Sequence, residues 1–372
     1  MGNVYFLGAG FSAAYGLPVM NQFFTTAKQN RLINQNEKRF LSEVQRFAHM
    51  GVRLVTISRN NMEEILSFLE MAEHADQTPQ QIKDLSKIGE KPVSPMELLR
   101  SIIARVYGPL PADLLGFERP IIELFGLADE NKSPSLPYPI EQPLRPNYRH
   151  FLSFQPHTTV ITTNYDLCLE TQMLRIKETL RLRLGGNNWI SAEGHAIGRN
   201  DTSSIYNPDS PATLLRLHGG VNWHSSSDKM NNKTYEFRVT SNVNPKNKLP
   251  WGIDATMYEP ASDAPILVAP TVLKHQTDGP YADQWQAAAK ALKDAQRLFF
   301  IGYSFPESDA YMRYFLGASL AENVDLEAIH IIDPQAEAIT QRLHEDKRYG
   351  AHFLDLLIPH QQCWHMPPRR KY

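Results

Sequence analysis

Three polar side chains of types that take part in bond cleavage stand directly after short apolar runs. They are Asn164, Asp166 and His218. A histidine can act as a base near neutral pH, and the carboxyl ends of parallel strands are where open α/β sheets bind ligands. We therefore predict a ligand site that contains these residues. The alternative for Asn164 and Asp166 is that they cap a following helix, Leu167 to Leu174.

A glycine-rich turn, Gly8-Ala9-Gly10-Phe11-Ser12, follows the first apolar run. Glycines let the backbone approach a phosphate closely, and the N–H groups at the start of a following helix favour negative charge. The turn therefore predicts a phosphate contact, with a purely structural strand-to-helix turn as the alternative. A dinucleotide-binding dehydrogenase would also need a strand that ends in Asp or Glu about 20 residues further on. The stretch Thr25 to Leu32 has neither a β pattern nor an acid, which disfavours that class.

Two later apolar runs also end in groups that suit a nucleotide. One is followed by the glycine–serine turn Gly302-Tyr303-Ser304, and the other by Asp333. A carboxylate can accept hydrogen bonds from both hydroxyls of a ribose, which makes Asp333 a candidate ribose ligand. The alternative is that Asp333 is a turn residue, because Pro334 follows it.

The apolar runs and the helical patterns between them indicate how these groups are positioned. Runs that are apolar throughout are typical of strands buried on both faces of a parallel sheet. The predicted strands are Val4 to Leu7, Thr159 to Thr162, Leu214 to Leu217, Ile266 to Val268, Leu298 to Ile301 and Ala328 to Ile332. The predicted helices between the later strands are Asp283 to Ala295, Asp309 to Leu320 and Gln335 to His344. This alternation predicts an α/β fold with a doubly wound, mostly parallel, Rossmann-like sheet.

A helical segment interrupts the alternation. Its apolar periodicity predicts three helices, namely Lys38 to Phe47, Asn61 to Ala72 and Pro95 to Val106. We predict an α/β domain formed by residues 1–36 and 147–372, with residues 37–146 as a helical insertion. A polar stretch from about Asn231 to Pro260 predicts a loop or a small subdomain.

The bulk composition excludes several classes of protein. The net charge is −2, so a general affinity for nucleic acid or for membrane surfaces is not expected. The two cysteines, Cys168 and Cys363, are too few for a four-thiolate zinc site within the chain or for a disulfide scaffold. The sequence shows no basic leader and no apolar run of membrane-spanning length. We therefore expect a cytoplasmic protein without a metal cofactor.

Taken in chain order, these motifs resemble those of the sirtuin family. That family has a Gly-Ala-Gly-x-Ser turn, as at Gly8 to Ser12, and a Thr-x-Asn-x-Asp segment, as at Thr162 to Asp166. It has a catalytic His-Gly, as at His218-Gly219, and a Gly-x-Ser turn, as at Gly302 to Ser304. Its late strand ends near the adenosine ribose, as the strand before Asp333 would. The resemblance implies a Rossmann-like fold that binds NAD.

Two departures separate the chain from the deacylating sirtuins. Those proteins carry a four-cysteine zinc ribbon after the His-Gly, but no cysteine lies between His218 and Asp333. They also carry an Asp-Phe-Arg sequence on the first loop, where this chain reads Pro18-Val19-Met20-Asn21. Three sequence motifs look like those of bacterial sirtuin-like NAD hydrolases of antiphage defence. They are Thr-Thr-Asn-Tyr-Asp, Leu-His-Gly-Gly-Val-Asn-Trp and Gly-Tyr-Ser-Phe. The helix from Asn61 to Leu69 looks like that branch too.

The resemblance implies an NAD+ hydrolase that releases nicotinamide and ADP-ribose and depletes NAD during abortive infection. Some members of that branch work as oligomers with a hexameric HerA-like ATPase, which implies a homo-oligomer and such a partner here. Asn164 would hold a ribose hydroxyl or the attacking water, His218 would act as base, and Asp166 would orient the site. The residues implied in NAD binding are Gly8, Ala9, Gly10, Phe11, Ser12, Thr163, Gly302, Ser304 and Asp333.

Two other functions fit parts of the sequence. An NAD-dependent protein deacylase or ADP-ribosyl transferase shares the cleavage of nicotinamide but needs an acceptor, and the missing zinc ribbon disfavours this class. A nucleotide-binding scaffold without catalysis would keep the glycine turns. The presence of Asn164 and His218 disfavours the scaffold.

Overall fold

The computed structural model describes the sheet, its flanking helices and part of the loops. The described residues are 2–13, 16–51, 60–108, 158–169, 181–182, 213–221, 223–225, 237–239, 267, 280–306 and 309–361. In chain order the strands are β1 (Gly2–Leu7), β2 (Lys87–Ile88), β3 (Lys91–Pro92), β4 (Thr159–Thr162), β5 (Arg181–Leu182), β6 (Thr213–Arg216), β7 (Trp223–Ser225), β8 (Phe237–Val239), β9 (Ala295–Ile301), β10 (Ala328–Asp333) and β11 (Leu357–Gln361).

A seven-stranded sheet, in which every neighbouring pair of strands is parallel, forms the centre of the described chain. Its spatial order is β11-β10-β9-β1-β4-β6-β5. The chain builds one side of the sheet from β1 through β4 to β6 and then the other side from β9 to β11. This arrangement confirms the predicted doubly wound α/β fold, with β1 in the middle.

Helices cover both faces of the sheet. In chain order they are α1 (Ala9–Ala13), α2 (Phe23–Gln29), α3 (Gln35–Gly51), α4 (Met62–His74), α5 (Gln80–Leu85), α6 (Pro95–Tyr107), α7 (Pro280–Lys293), α8 (Ala310–Leu320), α9 (Ala336–Glu345) and α10 (Ala351–Asp355). Buried side chains of α2 to α6 share one hydrophobic cluster with the sheet, and those of α7 to α9 share a second. The two clusters lie on opposite faces.

The burial of β1 on both faces explains why the strand sequences are continuous apolar runs. Tyr5 and Leu7 belong to one of the two clusters, whereas Val4 and Phe6 belong to the other. Successive side chains of a strand point to opposite faces, so a strand covered on both faces has no position for a polar residue. All four side chains are at most 3% exposed. The strands predicted from such runs are confirmed at β1, β4, β6, β9 and β10.

Side-chain caps fix the starts of three helices. The side chain of Asn61 accepts from the N–H groups of Glu63 and Glu64, that of Ser94 from Glu97, and that of Asp309 from Met312. Each cap satisfies backbone donors that a helix leaves unpaired in its first turn. The predicted helices at these positions are therefore confirmed to within a few residues, as are those at α3, α7 and α9.

Several predicted segments lie partly outside the described residues. Of the predicted strand Ile266 to Val268, Leu267 forms an isolated bridge with Gly219. Of the polar stretch 231–260, Phe237–Val239 pairs with Trp223–Ser225 in an antiparallel two-stranded sheet. The helix predicted after Asp166 is described only at its start, Cys168 and Leu169. The division into a domain and a helical insertion at residues 37–146 stays a prediction. Within the described ranges, no helix is long and apolar enough to cross a membrane.

A row of rings crosses one face of the sheet and ends in a histidine pair. Phe299 stacks on Tyr5 at 4.8 Å and on His330 at 4.6 Å between ring centroids. Nδ1 of His330 lies 2.9 Å from Nε2 of His360 on the neighbouring strand. Burial, together with the smaller effects of the charges of His360 and Arg297, lowers the pKa of His330 from 6.5 to about 4. His330 is thus held neutral at neutral pH.

We expect this histidine to make the fold acid-sensitive. In the unfolded chain His330 takes up a proton near its ordinary pKa of 6.5, but in the folded chain only near about 4. Stability is therefore fully present above pH 6.5 and is lost as the pH falls towards 4, by up to about 3 kcal/mol. Urea unfolding at pH 7.5 and pH 5 should show this loss, and His330→Phe should reduce it. A His330→Phe variant with the same pH dependence as His49→Phe, an exposed control on α3, would contradict the assignment.

Candidate functional site

The predicted site residues lie at one edge of the sheet. Because β9, β1, β4 and β6 are parallel neighbours, their carboxyl ends lie side by side. Gly302 follows β9, Gly8 follows β1, Thr163 follows β4, and His218 lies two residues after β6. The chain reverses its direction of winding between β1 and β9, and ligands of open α/β sheets bind at such a switch point. The predicted positions at the strand ends are therefore confirmed. The catalytic and NAD-binding roles of these residues stay predictions.

Asn164 joins the end of β4 to the glycine turn after β1. Its Nδ2 donates to the carbonyl oxygen of Gly8 at 2.8 Å and to Oγ of Ser12 at 3.0 Å. A carbonyl oxygen only accepts, so these bonds fix which end of the amide is Nδ2. Oδ1 of Asn164 takes no hydrogen bond from the described residues. Both this acceptor and the hydroxyl proton of Ser12 are therefore available to a ligand.

The backbone around Asn164 is held by Thr162, the last residue of β4. Oγ1 of Thr162 donates to the carbonyl of Leu7 at 3.0 Å and accepts from the N–H of Asn164 at 3.0 Å. One hydroxyl thus connects the ends of β1 and β4 and turns the chain at Asn164. A side chain without a hydroxyl at position 162 would remove one hydrogen bond from each of these two buried backbone groups, which is costly.

Asp166 and His218 are both buried. Asp166 lies two residues after Asn164 in the chain, and His218 follows the neighbouring strand, β6. Oδ1 of Asp166 accepts from the N–H of Cys168 at 2.9 Å, so the capping alternative is confirmed for Asp166. Asn164 instead uses its side chain on Gly8 and Ser12. The ring centroid of His218 lies 6.2 Å from that of Tyr165 and 6.2 Å from that of Trp285. The exposed fractions are 6% for Asn164, 5% for Asp166 and 1% for His218.

The loop from Asn164 to Asp166 is anchored to the β6 segment through three consecutive carbonyls. Nη1 of Arg216 donates to the carbonyl of Asn164 at 2.8 Å, and Nη2 donates to that of Asp166 at 2.6 Å. Between them, the N–H of Val221 donates to the carbonyl of Tyr165 at 2.9 Å. Sequence reasoning did not single out Arg216, although a charged residue inside the apolar run Leu214 to Leu217 is a signal that could have found it.

The glycine turns after β1 and β9 pack directly against each other. The N–H of Gly10 donates to the carbonyl of Gly302 at 2.8 Å, and Gly302 has a positive φ of 61°. A Cβ atom on Gly302 would lie 2.1 Å from the nitrogen of Phe11, and one on Gly8 would lie 2.5 Å from the carbonyl oxygen of Gly302. Only glycine fits at these contacts, so the structural alternative accounts for the glycine pattern.

This packing limits what the first turn offers to a phosphate. The N–H groups of Gly8, Gly10 and Phe11 already donate to carbonyls of Ile301, Gly302 and Gly8. The helix that follows, Ala9–Ala13, has only five residues, so few peptide dipoles add at its start. The NAD-binding roles of Gly8, Ala9, Gly10, Phe11 and Ser12 stay predictions, and the hydroxyl of Ser12 is the donor of this turn that the structure favours.

The remaining predicted contacts lie along the same edge. Thr163 is 7% exposed beside Asn164, whereas Ser304 is exposed and its carbonyl accepts from Nη2 of Arg342. Oδ1 of Asp333 accepts from the N–H of Gln335 at 2.8 Å, which confirms the turn alternative for that oxygen. A ribose role for Asp333 stays a prediction. Among the described residues, no group of three His, Cys, Asp or Glu side chains could hold a metal ion.

Helix α6 brings Tyr107 near Asp166, and α4 brings Glu63 near Tyr107; sequence reasoning missed both. Tyr107, the last residue of α6, stacks on Phe23 at 5.8 Å between centroids, and its buried hydroxyl makes no hydrogen bond to any residue that the structure describes. Burial raises the pKa of Tyr107, and the negative charges of Glu63 and Asp166 raise it further. Tyr107 therefore lies within electrostatic reach of Asp166, and Glu63, in the first turn of α4, lies within electrostatic reach of Tyr107.

Comparison with known families supports a common origin for the site region. A family model described as SIR2-like domain matches residues 158–354, more than half of the 372 residues. The match begins just before β4, ends in α10 and includes Asn164, Asp166, His218 and Gly302. No match is found among curated proteins.

Proposed function

We propose, because the chain belongs to the family of SIR2-like domains, that it is an NAD+ hydrolase. Domains of this family bind NAD, which gives the substrate class. The bond cleaved joins nicotinamide to ribose, and the products are nicotinamide and ADP-ribose. The proposal is carried by one observation above all, the bonds from Asn164 to Gly8 and Ser12 at the switch point. They leave the Oδ1 acceptor of Asn164 at the edge where His218 also lies.

Cleavage of the nicotinamide–ribose bond needs no general acid to protonate the leaving group. In NAD the nicotinamide ring is cationic, so it leaves with the electron pair of the glycosidic bond as a neutral base. The oxygen of water then bonds to the same ribose carbon, which carries positive charge in the transition state, as in glycoside hydrolysis. The protein must therefore stabilise positive charge on the ribose, hold a water or hydroxyl, and accept one proton.

The residues at the strand ends suit these tasks. Oδ1 of Asn164 accepts a hydrogen bond from a ribose hydroxyl or from the attacking water, and His218 takes the proton. The carboxylate of Asp166 favours positive charge in its surroundings. All three side chains are at most 6% exposed, and a charge acts more strongly where water is scarce.

The proposal is tested by incubating the purified protein with NAD alone and quantifying nicotinamide and ADP-ribose by chromatography. We expect both products in equal amounts without any acylated peptide. Nicotinamide release that requires an acylated peptide would favour a deacylase, and transfer of ADP-ribose to protein would favour a transferase. NAD binding without release, both alone and with an ATPase partner, would favour a scaffold.

We further propose that the reaction serves antiphage defence, with NAD depletion in the infected cell. The support is the resemblance of three motifs to those of the antiphage branch, at Thr162 to Asp166, Leu217 to Trp223 and Gly302 to Phe305. The same support extends to a homo-oligomer and to a HerA-like hexameric ATPase as partner. Measuring cellular NAD after phage infection, with and without the gene, tests the role. Unchanged NAD in both strains would contradict it.

A further inference from the structure

We infer that Arg216 is a positioning residue, which holds the loop carrying Asn164 and Asp166 in register with the end of β6, which His218 follows. The inference rests on the proposed function, because the reaction it serves is the cleavage of NAD. No role for Arg216 follows from the site chemistry itself, since its side chain contacts backbone carbonyls rather than an open edge of the site.

The guanidinium bridges two strand ends. Arg216 is the last residue of β6, and its Nη atoms reach the carbonyls of Asn164 and Asp166 after β4, at 2.8 and 2.6 Å. Its own N–H donates to Oε1 of Gln284 on α7 at 3.0 Å. The arginine is thus fixed at both its backbone and its side-chain end, which leaves the loop little freedom to shift.

The direction of these bonds also determines where the loop side chains point. With the carbonyls of Asn164, Tyr165 and Asp166 all bonded to the β6 segment, the amide of Asn164 is turned towards β1, where it meets Gly8 and Ser12. His218 follows Arg216 by two residues. A displacement of the loop would therefore change the separation between Asn164 and His218.

Arginine is the residue type that this geometry requires. Its planar guanidinium carries several N–H donors in a fixed fork, so two carbonyls can be bonded at once in defined directions. The side chain is 1% exposed, and two buried carbonyls would lose their partners without it. A lysine keeps the positive charge but offers a single nitrogen on a flexible stem.

The test compares Arg216→Lys with Arg105→Lys in the NAD-cleavage assay. Arg105, on α6, is a matched control, because it is also a buried arginine whose Nη atoms donate hydrogen bonds, to Glu37 at 2.6 and 3.0 Å and to the carbonyl of Leu32 at 3.2 Å. We expect Arg216→Lys to lower kcat about 100-fold with KM changed less than about threefold, as for a misplaced catalytic group. Arg105→Lys should lower thermal stability but keep the wild-type kcat.

A rescue experiment separates positioning from a loss of folding. In Arg216→Ala, millimolar guanidinium should restore part of kcat, whereas methylammonium should not, and the folded fraction is followed by circular dichroism. The inference is overturned if Arg216→Lys keeps the wild-type kcat, if Arg105→Lys loses as much, or if guanidinium does not restore a folded Arg216→Ala. Absence of NAD cleavage by the wild type would instead overturn the proposed function, and the role of Arg216 with it.

Discussion

Asn164→Ala is expected to lower kcat for NAD cleavage by about 1,000-fold while the protein stays folded. The substitution removes the Oδ1 acceptor from the site, and it also removes the donor that Gly8 and Ser12 share. The second loss costs about 1–3 kcal/mol of stability, because two buried hydrogen bonds of about 0.5–1.5 kcal/mol each are removed, although the carbonyl of Gly8 keeps the bond from the N–H of Phe11. Activity is measured as nicotinamide released per folded molecule.

Asn323→Ala separates these two losses. Asn323 is also a buried asparagine whose Nδ2 donates twice, to the carbonyls of Leu292 and Ala295 at 2.7 and 2.9 Å. It lies at the amino end of the sheet next to β9, away from the site. We expect Asn323→Ala to cost a similar stability and to leave kcat unchanged. Equal kcat values for Asn164→Ala and Asn323→Ala would show that Asn164 has no part in the reaction.

Gly302→Ala is expected to cost several kcal/mol of stability and to abolish NAD binding. The added Cβ would lie 2.1 Å from the nitrogen of Phe11 and 2.4 Å from the carbonyl carbon of Gly10, both of them backbone atoms that cannot rotate away. The positive φ of 61° adds strain for a residue with a side chain. The two glycine turns must then separate, and the edge that carries Ser12 and Asn164 is disturbed.

Gly317→Ala is the control for this substitution. Gly317 lies inside α8, where a Cβ would meet nothing within 4 Å. There, alanine should stabilise the helix by about 0.5–1 kcal/mol. Thermal unfolding and NAD titration of the two variants therefore give opposite changes in stability. A Gly302→Ala protein that unfolds and binds NAD like Gly317→Ala would show that the two turns do not depend on each other.

The positions of the main sheet strands and their parallel type could be predicted because burial on both faces leaves a strong mark in the sequence. Each residue of β1 from Val4 to Leu7 must be apolar, whichever face it meets. The strand β11 lacks that mark, since it lies at the edge of the sheet and contains Pro359 and His360 among half-exposed positions. An edge strand is positioned by its hydrogen bonds to the one neighbouring strand, here β10, and no local sequence pattern indicates that pairing.

The site could be predicted as a set of strand ends but not as a set of contacts. The apolar strand before each polar residue placed Asn164 and His218 at the carboxyl edge, because neighbouring parallel strands end together. The bonds from Arg216 to the carbonyls of Asn164 and Asp166 join residues about 50 positions apart, and such pairs leave no periodic signal. The same holds for Gly302, whose need for glycine arises from Gly10 and Phe11.

The central place of β1 has a consequence for synthesis of the chain. Val4 pairs with Thr159 on one side and with Leu298 on the other, so the middle of the sheet joins the earliest strand to one made much later. Such distant pairing makes folding slow, because the intervening chain must be gathered before the contact forms. The two glycine turns likewise cannot meet until Gly302 has left the ribosome. A growing chain that has not yet reached Gly302 therefore lacks the complete site, and under the proposed function it would not consume NAD.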